Sequence, residues 1–246
     1  MLKVVEYKAA SPAEQLAMEE VLLNECDNGE LGPVLLWWES SSYFVVVGYS
    51  NRVGREVFVE RCQEDGVPIL RRCSGGGTVL LGPGALCYSL VLPISHDPAL
   101  ETINGTNRFI MERNREAFAD LVKEPVLVQG YTDLTLGRVK FSGNAQRRKR
   151  NAVLFHGSIL HGMELSLLER YLRVPSSQPE YRENRAHESF VCNFPSTVNM
   201  IKDSFEAKWN AVGEIDQSGK KWEMVKQRVE RLVAERYSTE AWNEKF

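Results

Sequence analysis

Residues 69–92 read Ile-Leu-Arg-Arg-Cys-Ser-Gly-Gly-Gly-Thr-Val-Leu-Leu-Gly-Pro-Gly-Ala-Leu-Cys-Tyr-Ser-Leu-Val-Leu. Apolar runs at 67–70 and 88–92, bounded by turn residues, predict buried strands. Between them lie Gly75, Gly76 and Gly77, whose backbone, lacking Cβ, can take positive φ and approach a ligand closely. Their amides, with Arg71 and Arg72 just ahead, can form a concavity for an anion such as phosphate. The same residues also fit a mobile hairpin with exposed arginines, and the stretch alone leaves both readings open.

The remainder of the chain narrows the choice. Its 246 residues, 43% hydrophobic and 26% charged, are those of an ordinary globular protein with a substantial core. A net charge of −3 gives no global reason to expect nucleic acid. Five cysteines (Cys26, Cys62, Cys73, Cys87, Cys192) without CxxC spacing predict reduced thiols rather than a disulfide framework or zinc site. No apolar run approaches the 18 residues of a membrane span, and the N-terminus lacks a signal peptide's apolar core, so a cytoplasmic protein without membrane partners is expected.

Outward from the glycine stretch, Leu2–Tyr7 reads as a strand and Ala13–Cys26 as a helix capped by Ser11-Pro12. Two β-branched and aromatic runs, 33–39 and 43–48, predict a hairpin through Ser40-Ser41-Ser42, and 56–65 predicts a helix. A long helix is expected over 101–122, with Ile103, Phe109, Ile110, Phe118 and Leu121 as its apolar positions. Strands follow at 125–128, 134–136, 139–141 and 153–160, then a short helix at 165–172. The polar stretch 175–193 reads as a surface loop, of the kind that often serves as a lid. Helices are expected at 205–212 and 221–237, the latter with Trp222, Val225, Val229 and Leu232 on one stripe. The pattern is α+β: one mixed, mainly antiparallel sheet with flanking helices and a helical C-terminus. A catalytic domain over 1–200 and a helical extension over 201–246 packed on it are expected.

Lys140 alternates with Val139 and Phe141 and so points to the opposite face of its strand. Ser142-Gly143-Asn144 follows, again allowing close approach of a ligand. A lysine beside an anion cradle suits a reaction that builds charge at a phosphate, although a strand lysine is commonly just solvated. His156 is either a hydrogen-bonded structural residue or a ligand contact. Cys73 and Cys192 are the candidate nucleophiles, each also readable as a small buried apolar residue. Arg147-Arg148-Lys149-Arg150 reads as a solvated hairpin tip or a surface for an acidic protein. The histidines show no metal-ligand spacing, and neither a P-loop nor a Rossmann fingerprint is present.

Arg71-Arg72-Cys73-Ser74-Gly75-Gly76-Gly77-Thr78-Val79 resembles the Arg-Arg-x-Ser-Gly-Gly-Gly-x-Val signature of lipoate–protein ligases. Asp133-Leu134, Lys140-Phe141-Ser142-Gly143-Asn144-Ala145 and His156-Gly157-Ser158-Ile159-Leu160 resemble that family's later motifs in the same order. The resemblance runs from Ala13 to about Leu172. It implies the catalytic fold shared by lipoate ligases, biotin ligases and octanoyl transferases. It also implies a two-step reaction: lipoate and ATP give lipoyl-AMP, which acylates a lysine of a lipoyl domain or an H-type carrier of glycine cleavage. By position, Arg72, Gly75, Gly76, Gly77, Thr78, Val79 and Leu80 would hold nucleotide, with His156 beside them. Lys140 would contact the phosphate and acyl carbonyl, and Asp133 would hold Mg²⁺ or order the site.

The chain departs from the pattern where ligases continue His-Asp-x-Gly-Asn; here Leu80-Leu81-Gly82-Pro83-Gly84-Ala85 stands instead. At 246 residues the extra C-terminal domain of many two-step ligases is not expected, and the resemblance then implies an accessory subunit or transfer alone. The alternative is an acyl transferase using a cysteine thioester; there the nucleophile lies just upstream of the Asp/Lys segment, and 124–131 contains no cysteine. A non-catalytic lipoate-binding module is the third reading, and Lys140 together with the triple glycine argues against it.

Overall fold

A computed structural model of the chain describes residues 1–246. Strand β1 (Leu2–Glu6) leads into helix α1 (Pro12–Asp27), whose Ser11 hydroxyl accepts from the Glu14 amide while Pro12 fills the first turn, as the sequence predicts. Next come β2 (Val34–Trp38), β3 (Phe44–Val47), the short helices α2 (Val53–Glu56) and α3 (Val59–Glu64), and β4 (Ile69–Arg71), β5 (Val79–Leu81) and β6 (Ala85–Pro93). Helix α4 (Ile103–Ala119) is capped by Thr102 and is followed by β7 (Val126–Gln129), β8 (Asp133–Leu136), β9 (Val139–Arg148) and β10 (Ala152–Leu160). The chain continues through α5 (Ser166–Tyr171), α6 (His187–Phe190), α7 (Val198–Lys208), β11 (Ala211–Glu214), α8 (Lys220–Leu232) and α9 (Glu240–Asn243).

Eight strands form one sheet in the order β11-β1-β2-β6-β10-β9-β8-β7, parallel from β11 to β2 and antiparallel from there on. A second sheet of three strands, β4-β3-β5, holds the glycine stretch. The expected 33–48 hairpin does not form: β2 pairs with β1 and β6, β3 with β4 and β5. Both runs are buried along their whole length, so neither shows an alternation that would fix a partner, and Ser40–Ser42 carry the chain between sheets. A single mixed sheet was the expectation; the change of sheet at these serines makes two.

The large sheet has a core on each face. Along β6, Ala85, Cys87 and Val91 join the core shared with α1, α8 and the small sheet, while Leu86, Tyr88, Leu90 and Leu92 join that under α4 and α7. Along β10, Leu154 and Leu160 face the first core, and Val153, Phe155 and Ile159 the second. This alternation puts His156 on the first face, toward α1 and the glycine stretch.

The expected helix at 205–212 starts earlier, at Val198, where Thr197 caps it, and stops at Lys208. Asn210 then adopts a left-handed conformation (φ 48°) and the chain becomes β11 on the sheet edge. Its partner is the backbone of β1, a pairing that side-chain pattern does not encode. Ile103, expected on the apolar face of its helix, is instead exposed in the first turn of α4. No helix is long and apolar enough to cross a membrane.

Candidate active site

The β4–β5 loop is shaped by the two arginines that precede its glycines, and their roles differ. Arg71 is fully buried and does not reach the cavity described below. Its guanidinium donates to the carbonyls of Gly48, Tyr49, Asn51, Trp242 and Asn243, fastening α9 against the loop. The sequence reading of Arg71 as part of an anion concavity is thereby corrected: its N–H groups are spent on backbone oxygens.

Arg72 turns inward. Its guanidinium donates to the carbonyls of Gly75 (2.6 Å) and Gly77 (2.7 Å) and to the Ser74 hydroxyl (3.0 Å). Gly76 takes φ +88°, and a Cβ on Gly48 would lie 2.2 Å from the Gly76 carbonyl, so the two backbones meet where only glycine fits. With two loop carbonyls drawn onto Arg72, the amides of Gly75, Gly76 and Gly77 are left without a protein acceptor. That is the arrangement of an anion nest. Burial pushes the Arg72 guanidinium down to about 10, still charged at neutral pH.

Behind Arg72 runs a buried chain: Ser74 Oγ to His156 Nε2 (2.6 Å), then His156 Nδ1 to Glu19 Oε2 (2.8 Å). Glu19 also accepts from Ser89 Oγ (2.6 Å) and Trp38 Nε1 (3.2 Å). Burial works to raise its carboxyl, but the imidazole and these donors outweigh it and hold it below the ordinary value. The order Ser–His–Glu matches a hydrolytic triad, yet Ser74 is sealed from solvent and accepts from Arg72. The chain braces the glycine loop. With both ring nitrogens engaged, His156 reaches ligand only as part of the cavity wall.

Lys140, on β9, pairs with Asp133 of β8 (Nζ–Oδ1 2.8 Å), and the other Asp133 oxygen accepts from Tyr181 (2.7 Å). A Cβ on Gly143 would lie 2.6 Å from Lys140 Nζ, so this glycine leaves the lane through which the lysine extends. Asn144 crosses Gly157 in the same manner. It is held by the Tyr88 hydroxyl (2.6 Å) and donates to the Thr132 carbonyl, while Tyr88 in turn accepts from Asn114.

One cavity of about 620 Å³ collects nearly all of these groups. Arg72, Gly75–Leu80, Asp133, Lys140 and His156 line it, together with an apolar wall that includes Leu16, Trp38, Val46, Leu160 and Leu168. The 175–193 stretch, expected as a surface loop and possible lid, lies over this cavity with Pro175, Arg182, His187 and Phe190 on its lining. Cys73 and Cys192 are absent from the lining, and only Cys87 among the thiols reaches it. Burial raises all five thiols: Cys26 and Cys62 to about 11, Cys73 to about 12, and Cys87 and Cys192 above the ordinary value. Arg148 of the basic run bonds the Leu100 carbonyl and Thr106, and Arg147 lies over the Tyr49 ring.

Sequence reasoning missed Glu19, Ser74, Tyr181 and Arg182. Glu19 left one signal, an acidic residue directly after the apolar Leu16-Ala17-Met18, but Tyr181 and Arg182 come from an unpatterned stretch.

Residues 11–213 match the lipoyl protein ligase A/B catalytic domain. The chain belongs to this family. The probable lipoate-protein ligase A of Mycoplasma genitalium is 30% identical over 175 residues, 71% of this chain and 50% of that one, so the chain spans half the length of this ligase relative. The octanoyltransferase LipM of Staphylococcus epidermidis is 26% identical over 94% of each chain. A crystal structure of lipoate-protein ligase A bound with ATP superposes with a TM-score of 0.79, covering 99% of this chain and 97% of that one at 22% identity, a likeness of fold.

Proposed function

We propose that this lipoyl protein ligase A/B family member joins lipoate or octanoate to a lysine of a lipoyl domain or H-type carrier, using ATP, through an acyl-adenylate. One observation carries the reading: the cavity offers a lysine, an anion nest and an apolar wall, and its one thiol, Cys87, is buried. A thioester mechanism needs a thiolate, and burial of Cys87 disfavours that form.

In the first step a carboxylate oxygen of the acid bonds the α-phosphorus of ATP as the bond to pyrophosphate breaks. In the second, the acceptor amine bonds the acyl carbon, AMP leaves and the amine's proton is lost. Lys140 and the amides of Gly75–Gly77 meet the negative charge on phosphate and acyl oxygens. Asp133 orients Lys140 and is the cavity carboxylate outside the Glu19 network. One carboxylate plus substrate phosphates fits Mg²⁺, which would neutralise phosphate charge. The apolar wall takes the acyl chain. Residues 201–246 belong to the same folding unit, since β11 extends the sheet and α9 holds Arg71.

The test is intact-mass analysis of a purified apo lipoyl domain incubated with the chain, lipoate, ATP and Mg²⁺. The expected result is one lipoyl group gained only with ATP, and none with Lys140→Ala, which keeps the wild-type melting temperature. Full activity in Lys140→Ala would sink the role of the lysine. Because octanoyltransferase LipM matches along 94% of both chains, the second reading is transfer from an octanoylated carrier through a cysteine thioester. Transfer from that donor without ATP would favour it. Gain only from synthetic lipoyl-AMP would indicate an accessory subunit for adenylation.

A further inference from the structure

Three basic side chains of lysine or arginine type line the cavity: Arg72, Lys140 and Arg182. Arg72 is committed to loop carbonyls and Lys140 to Asp133. Arg182 is different. It is 4% exposed, makes no ion pair, and its Nη2 is buried without any hydrogen-bond partner. Its Nε donates to the Arg185 carbonyl (3.1 Å) and its guanidinium lies 4.5 Å over the Phe190 ring, so its position is fixed by its neighbours.

A buried guanidinium with an idle N–H is costly to hold, and burial disfavours its charged form. Such a group makes physical sense when a ligand anion completes it. Resting on the ligase reading, we propose that Arg182 ligates the α-phosphate of the bound nucleotide and keeps it through both half-reactions.

The chemistry of the two steps selects phosphate over the acid. The lipoate carboxylate loses its charge when it becomes a mixed anhydride, so a buried cation placed there would be stranded halfway. Pyrophosphate departs after the first step. The α-phosphate alone remains anionic in ATP, in the acyl-adenylate and in AMP. A guanidinium fork also matches its oxygens better than an ammonium does. Arg182 is carried by the 175–193 stretch, the nest by the β4–β5 loop and Lys140 by β9, so donors from three elements reach one cavity.

The experiment is calorimetric binding of ATP, AMP, inorganic pyrophosphate and lipoate, each separately, to the full chain and to Arg182→Gln and Arg182→Lys. The expected result is about tenfold or greater weakening of ATP and AMP in Arg182→Gln, a smaller loss in Arg182→Lys, and lipoate affinity within twofold of wild type. Unchanged AMP affinity in Arg182→Gln, or a loss confined to lipoate or pyrophosphate, overturns the inference and leaves the ligase reading intact. Wild-type chain that binds neither ATP nor AMP overturns the ligase reading itself. Should Arg182→Gln melt below the assay temperature, Arg182→Lys carries the same comparison.

Discussion

Lys140 depends on a residue with no side chain. Gly143 leaves the space through which the lysine reaches Asp133, and a methyl there would sit 2.6 Å from Nζ. Gly143→Ala should therefore displace the ammonium without removing it, cutting acylation by roughly a hundredfold, the scale of losing one preorganised charge contact. Its stability should change little, and steady-state lipoylation beside a melting curve checks both. Glu19 carries a pH prediction. Its folded pKa lies below the ordinary carboxylate value of about 4.3. The charged form is thus favoured by folding, and this contribution, present above the unfolded pKa, is lost as pH falls through the folded one. Urea unfolding between neutral pH and pH 3 should show a steeper loss for wild type than for Glu19→Gln.

At the scale of elements, α9 and the β4–β5 loop are one device. Asn243 accepts from the Arg71 amide (3.0 Å) and donates to the Tyr237 carbonyl, and the Arg71 guanidinium ties the α9 backbone to Gly48 and Tyr49. Asn243→Ala leaves a buried amide unpaired and should cost about 2 kcal/mol, read as a lower urea midpoint at unchanged slope. Nucleotide affinity should fall with it, because Gly48 meets Gly76 at the centre of the nest. The 175–193 stretch belongs to the same scale. Left-handed Glu183 and Asn184 turn it, and Tyr181 pins it to Asp133.

For the whole molecule, the two faces of the large sheet divide the labour. One face packs α4 and α7 in an aromatic core of Trp37, Tyr88, Phe118, Phe141 and Phe205. The other opens between the sheets into the cavity. Every cysteine is drawn into packing and raised by burial, so the ligase reading predicts that thiol chemistry is dispensable. Cys87→Ala and Cys192→Ala should each keep at least half of wild-type ATP-dependent lipoylation. Loss in either variant, with transfer from an octanoylated carrier in wild type, would move the assignment to the thiol mechanism.

The sequence by itself determined the motif order, the α+β class, the strand that bears Lys140 and the cap of α1. These follow from local rules: residue spacing sets which face a side chain takes, and glycine or proline sets where the chain turns. Tertiary structure decided the rest. Two adjacent arginines, Arg71 and Arg72, look alike in sequence, yet strand alternation sends one to the C-terminal tail and the other to the glycine carbonyls. The separation of β2 from β3, the edge pairing of β11 and the union of Glu19 with His156 join residues far apart in the chain. Backbone hydrogen bonds and buried polar contacts of that kind carry no periodic signal, so they become visible only once the sheets have closed on each other.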